Sequence, residues 1–233
     1  MIAPYRLHYA PDNASLVIRL ALEEMGQPYE TVLVDRRQNE QDSAAYRRLN
    51  PNGLIPVLDT PQGPIFETAA ILLWLADAHG QLAPSPETPE RAAFLKWLFF
   101  ASNTLHADLR ILFYAEKYID AAQADTLRES IRPRLRRHLQ VLEAEAKNTP
   151  VWLHPEQPSV LTYYLACQMR WMALYPANAD RGWYHLSDTP HLQAILTQLE
   201  TRPATQAAIA AEGLGVTPFT SPSYATPQEG SAT

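Results

Sequence analysis

A proline at the mouth of an apolar run, set behind a four-residue turn signal, constrains this chain more than any other feature: Asn50-Pro51-Asn52-Gly53-Leu54-Ile55-Pro56-Val57-Leu58. Asn-Pro-Asn-Gly marks a turn, and the residues after it read as a strand. Proline cannot donate into a sheet ladder, so Pro56 belongs at a strand start or edge. An X-Pro bond is also the one peptide bond for which cis is cheap. A cis Ile55-Pro56 bond would turn the N–H and C=O of Ile55 outward, where a peptide-like ligand could pair with them as an added strand. A short second strand then ends in Ile65-Phe66-Glu67-Thr68, which opens an apolar helix from Ala69 to Ala78. A helix N-terminus favours an anion, and Glu67 beside it can take an ammonium group. Together these features suggest a site for a small zwitterionic peptide.

The rest of the chain supplies the frame. Tyr5 to Tyr9 alternates as a first strand, Ser15 to Gly26 has helical spacing with a glycine stop, and Tyr29 to Asp35 is a second strand. Arg36 to Gln41 reads as loop and Ser43 to Leu49 as a short helix. Asp59 to Pro64 joins the next two strands as a hairpin. A βαβ unit followed by a ββα unit is a thioredoxin-like arrangement, a mixed sheet with helices on both faces. This first domain covers residues 1–80, and a proline-rich linker covers 81–89.

From residue 90 to 215 only helical patterns follow. One runs from Glu90 to Tyr118. The next carries the stripe Leu127, Ile131, Leu135, Leu139 and Leu142, with Pro133 expected to kink it. Val160 to Leu174, Pro190 to Glu200 and Pro203 to Glu212 are the others. Residues 216–233, rich in Pro, Ser, Thr and Gly, read as a disordered tail.

Composition narrows the function. The net charge of −6 argues against a nucleic-acid surface, which would need a basic excess. The one cysteine, Cys167, leaves no internal disulfide, Cys-x-x-Cys pair or zinc site. The seven histidines are scattered without ligand spacing, so no metal is expected. No apolar run approaches the roughly 20 residues that span a bilayer. The start, Met1 to Arg6, is too short and polar for a signal peptide. A soluble cytoplasmic protein without a membrane role is the expectation.

Asn-Pro-x-Gly-x-Ile-Pro-Val-Leu, followed by Glu-Thr at a helix head, resembles the thioredoxin-like half of glutathione S-transferases. The helical second half, the tract Pro158 to Leu165 and the Thr201-Arg202-Pro203-Ala204 motif extend the resemblance over residues 5–212. In the tract Ser159 caps a core helix, and Thr162 stands where the family has aspartate, so a weaker cap is expected. The resemblance implies an α/β thioredoxin-like domain followed by an all-α domain. It also implies a homodimer, glutathione as co-substrate, a hydrophobic electrophile as second substrate, and a role in detoxification. Ile55, before Pro56, would pair with the glutathione backbone, and Glu67 with Thr68 would hold its γ-glutamyl end.

The glutathione thiol has an unperturbed pKa of about 8.5, so an enzyme must favour the thiolate with a donor at the sulfur. That donor is expected at the head of the first helix. Tyr9-Ala10-Pro11-x-x-Ala14-Ser15-Leu16 looks most like the bacterial beta class, whose pattern is Tyr-x-Pro-Gly-Ala-Cys-Ser-Leu. Ala14 occupies the cysteine's position, which excludes a mixed disulfide there. Ser15 is the first candidate donor, against a plain N-cap role. Asn13 is the second, against a turn role, and Tyr9 or Tyr5 in the first strand follow. His106 matches a Leu-His that faces the glutathione cleft in that class. Phe99 and Leu54 stand where the class has polar residues, and Leu54 lies beside the backbone-pairing position. Arg36 or Arg37 could reach the glycine carboxylate. Tyr114, Tyr118, Tyr163, Tyr164 and Trp171 are candidates for the electrophile pocket. Glutathione-dependent reduction of a disulfide or peroxide is the close variant, and a non-catalytic binding or regulatory protein on the same fold is the rival.

Overall fold

The computed structural model describes residues 5–227. Residues 1–4, most of the start expected not to be a signal peptide, and 228–233, the end of the expected tail, lie outside the described residues. The first half runs β1 (Tyr5–Tyr9), α1 (Ser15–Glu24), β2 (Tyr29–Leu33), α2 (Ala44–Arg47), β3 (Val57–Thr60), β4 (Gly63–Phe66) and α3 (Thr68–His79). The sheet order is β2-β1-β3-β4, with β1 and β2 parallel and the other pairs antiparallel. In the hairpin Val57 pairs with Phe66. That register sets Pro56, before β3, beside Glu67, after β4, at one end of the sheet. The Ile55-Pro56 bond is cis.

Leu16, Val17, Ile18, Leu20, Ala21 and Leu22 of α1 are all fully buried. Ser15, Arg19 and Glu23 form one polar stripe, and the apolar remainder of α1 must be covered: it packs on β1 and α3 and against two helices of the second half. Each large side chain buried this way is worth about 1.5–3 kcal/mol. Charged residues of α1 add ties to the helical half. Arg19 Nε donates to Glu212 at 2.7 Å, and Arg202 Nε and Tyr163 OH both donate to Glu24, at 3.0 and 2.6 Å.

The second half holds α4 (Arg91–Phe100), α5 (Ala107–Phe113), α6 (Ala124–Ala146), α7 (Val160–Leu174), α8 (Pro190–Glu200) and α9 (Pro203–Glu212). Three expectations need correction. The helix expected from Glu90 to Tyr118 is broken into α4 and α5 by a wide π turn over Ala101–His106. Gln168, buried on α7, donates to the Ala101 carbonyl at 2.9 Å, so a side chain takes up a main-chain acceptor at that turn. In the cap of α7, Thr162 does close the box. Its Oγ accepts from Ser159 N at 3.0 Å, and both hydroxyls donate to Trp152 O.

The third correction concerns the tail, which is ordered through residue 227. Phe219 and Ala225 are buried. The Glu200 carboxylate accepts from Phe219 N and Thr220 N, both at 2.8 Å. Arg170 donates to the carbonyls of Leu214, Pro218 and Ser223. Two side chains distant in sequence thus satisfy the backbone of a segment whose own composition is polar. Pro133 lies inside α6, which continues through it as one helix. Among the described residues no helix is long and apolar enough to cross a membrane.

Candidate functional site

A cavity of about 450 Å³ opens between the two halves. The thioredoxin-like half contributes Asn13, Ala14, Asn50, Leu54, Ile55, Pro56, Glu67 and Thr68. The wide turn and α5 contribute Ser102, Asn103, His106, Ala107, Arg110, Phe113 and Tyr114, and α7 adds Tyr164 and Trp171.

The loop before the cis bond is held by its own turn. Asn50 Nδ2 donates to Leu54 O at 2.7 Å, Tyr46 OH donates to the same carbonyl at 2.9 Å, and Asn50 Oδ1 accepts from Asn52 N. Gly53 sits at φ +63°, and a Cβ there would lie 2.9 Å from the Gln41 carbonyl, so no side chain fits. Burial pushes the Tyr46 phenol pKa up, which keeps it a donor. Leu54, Ile55 and Pro56 are thereby fixed at the cavity rim.

Glu67 lies one residue before α3 at φ +73°, ψ +113°, a backbone region that costs a non-glycine residue on the order of 1–3 kcal/mol. Thr68 begins the helix and is buried. The strained residue and the free N–H groups of the first helical turn therefore meet in the cavity wall.

At the head of α1 the two candidate donors are placed differently. Ser15 is fully buried and is not among the residues that line the cavity. Its Oγ donates to Ala10 O at 3.1 Å and accepts from Ala10 N at 3.2 Å, so the hydroxyl closes the turn from β1. Asn13 and Ala14 line the cavity instead. Asn13 Oδ1 accepts from Ala14 N at 2.8 Å, which leaves Nδ2 as the side-chain donor.

Asp12, at φ +51°, fixes this turn from behind. Its fully buried carboxylate accepts from Arg170 Nε and Nη2, from Trp171 Nε1 at 3.1 Å and from Tyr175 OH at 2.8 Å. Its N–H donates to Glu212 Oε2 at 2.8 Å. Burial raises the Glu212 pKa, against the opposing pull of Arg19. No local pattern announces this knot, because every partner lies more than 150 residues away.

On the helical wall His106 Nδ1 and Tyr164 OH are 2.6 Å apart. The imidazole lies tilted over Trp171 at 5.6 Å between centroids. Burial, then the nearby Arg110 charge, lowers its pKa to about 4, so His106 is neutral at ordinary pH. Burial raises the Tyr164 phenol pKa.

Several candidates fall elsewhere. Arg37 lies in an exposed turn and donates to Asp35; it does not line the cavity. Tyr5 OH bonds His79, Tyr9 lies under the Arg19 guanidinium, Tyr163 is tied to Glu24, and Tyr118 and Phe99 are exposed. The sequence reading missed Asn50, Ser102, Asn103, Ala107, Arg110 and Phe113. Arg110 and His106 are four residues apart, a helical spacing that could have flagged the former.

Residues 14–78 match the family model described as glutathione S-transferase, N-terminal domain. Over 216 residues the chain is 27% identical to glutathione S-transferase GstA of Escherichia coli, covering 90% of this chain and 99% of that protein. It is 30% identical to the disulfide-bond oxidoreductase YfcG of Escherichia coli, covering 90% of this chain and 96% of that protein. A sphingomonad glutathione S-transferase complexed with glutathione superposes with a TM-score of 0.74 at 29% identity, over 90% of this chain and all of that one.

Proposed function

Because the chain belongs to the glutathione S-transferase superfamily, we propose that it binds glutathione in the cavity beside Pro56 and turns its thiolate on a hydrophobic electrophile. The observation that carries this is the meeting of Ile55, Pro56, Glu67 and Thr68 with Asn13 in one cavity wall. Ile55 pairs its main chain with the cysteinyl unit, with Leu54 beside it. Thr68 and the head of α3 take the γ-glutamyl carboxylate, and Glu67 takes the ammonium group. Asn13 Nδ2, rather than Ser15, donates to the sulfur and favours the thiolate. The thiolate attacks the electrophilic carbon, the leaving group departs with its bonding pair, and the thiol proton passes to solvent. His106, neutral and bonded to Tyr164, stiffens the opposite wall without adding charge.

Similarity to the oxidoreductase YfcG favours a second reading, reduction of a disulfide with glutathione as the thiol; Ala14 offers no protein sulfur for it. A homodimer acting in the cytoplasm in detoxification completes the proposal, and light scattering in solution tests its stoichiometry. Calorimetric titration of glutathione into the wild type and Glu67→Ala tests the site. Binding that is lost in the variant is expected. No binding to the wild type overturns the proposal.

A further inference from the structure

Arg110 is the one arginine or lysine among the described residues lining the cavity, and it stands on the helical wall, across from the peptide-binding elements. Its guanidinium lies 5.7 Å from the Tyr114 ring centroid. No described carboxylate forms an ion pair with it. The acid two residues before it, Asp108, is committed to Arg134 at 3.0 Å and His138 at 2.8 Å. The cavity's own acid, Glu67, belongs to the opposite wall. The helical side of the same cavity also presents three aromatic rings, Phe113, Tyr114 and Trp171, of which Tyr114 lies against the guanidinium. A half-buried guanidinium with no acidic partner among the described residues, set against a ring in a cavity that holds two more, is a fork for a planar anion attached to an apolar body.

We propose that Arg110 selects the second substrate, and that this substrate is an aromatic electrophile bearing a carboxylate. This rests on the transferase reading. The ring lies among Phe113, Tyr114 and Trp171, and its carboxylate takes two N–H donors of Arg110. With chlorodinitrobenzoate as the electrophile, the glutathione sulfur bonds to the ring carbon and the carbon–chlorine bond breaks. Chloride leaves with the electron pair, and the thiol proton goes to solvent. A neutral ring can react in the same place but leaves Arg110 without its anion.

The test uses preformed glutathione thioethers, one with a dinitrophenyl group and one with a dinitrocarboxyphenyl group, titrated calorimetrically with glutathione itself as reference. The wild type should bind the carboxylated thioether about tenfold tighter than the neutral one, the size of a charge-assisted hydrogen bond. Arg110→Met should erase that difference, and Arg110→Lys should keep part of it. Equal affinity of the two thioethers for the wild type overturns the proposal without need of a variant. So does a loss of glutathione affinity in Arg110→Met that matches the loss for the carboxylated thioether, because Arg110 would then hold the peptide's own glycine carboxylate. Glutathione disulfide that weakens with Arg110→Met, while the two thioethers bind alike, assigns Arg110 to a second peptide and also overturns it. Failure of glutathione itself to bind the wild type is a separate outcome, and it removes the transferase reading on which the proposal rests.

Discussion

Arg170 grips Asp12 with two nitrogens, Nε at 2.8 Å and Nη2 at 3.0 Å, although 158 residues separate them. Both side chains are fully buried, and the pair sits directly behind the turn that presents Asn13. Asp12→Asn leaves a buried guanidinium without its counter-charge. Breaking a buried pair from one side costs about 3–5 kcal/mol, so the urea midpoint should fall sharply. An unchanged midpoint would show that the pair does not hold the turn.

Glu67→Gly separates strain from binding. Glycine accepts φ +73° without penalty, so the variant should gain on the order of 1 kcal/mol in chemical denaturation. It should also lose glutathione affinity, because the carboxylate is gone. A variant that is both less stable and still able to bind would contradict the assignment of Glu67 to the ligand.

Asn13→Ala and Ser15→Ala should diverge. Asn13→Ala lowers kcat by about tenfold or more, through loss of a donor to the thiolate, with little change in glutathione Kd. Ser15→Ala removes the two bonds to Ala10 and costs about 1 kcal/mol of stability. Steady-state kinetics beside thermal melts distinguish them. A kinetic defect confined to Ser15→Ala would restore the serine as thiol donor.

His106 makes stability depend on pH in a defined window. Its folded pKa of about 4 lies below the ordinary 6.5, so the unfolded chain binds the extra proton between those values. Its contribution is complete above pH 6.5 and is lost as pH falls toward 4. Between pH 7 and 5 the loss amounts to about 2 kcal/mol. Urea unfolding at the two pH values should show it, and His106→Gln should flatten the difference. An equal pH slope in both proteins would disprove it.

Truncation after Gly215 should destabilise the protein by several kcal/mol and weaken glutathione binding. It removes buried Phe219, worth about 3–5 kcal/mol as a Phe→Ala change. It also strips Glu200 and Arg170 of main-chain partners. A truncated chain with wild-type melting would show that the segment is dispensable.

The cavity wall formed by Ile55, Pro56, Glu67 and Thr68 is legible in the sequence because its devices are local. A turn signal, a proline and a Glu-Thr pair lie within 19 residues, and the hairpin register then brings their ends together. The head of α1 is not legible to that precision. Whether Asn13 or Ser15 faces the cavity is decided by the main-chain groups of Ala10, which no composition encodes. The wide turn that aims Ser102, Asn103 and His106 has Gln168 at its first carbonyl, 67 residues away. The tail misleads for the same reason: its polar residues look unable to support a core, yet Glu200 and Arg170 satisfy its backbone from afar.

The knot behind Asn13 also has a place in time. Asp12 emerges from the ribosome 200 residues ahead of Glu212, the acceptor of its N–H. At about 5–20 residues per second, that interval is roughly 10–40 s. The loop around Ile55 can form early, because Asn50 and Tyr46 lie within eight residues of the carbonyl they bind. The turn that carries Asn13 must wait for the far end of the helical half. A nascent chain stalled inside that half can therefore hold the Ile55 loop in its final form while the turn that carries Asn13 is still unfixed.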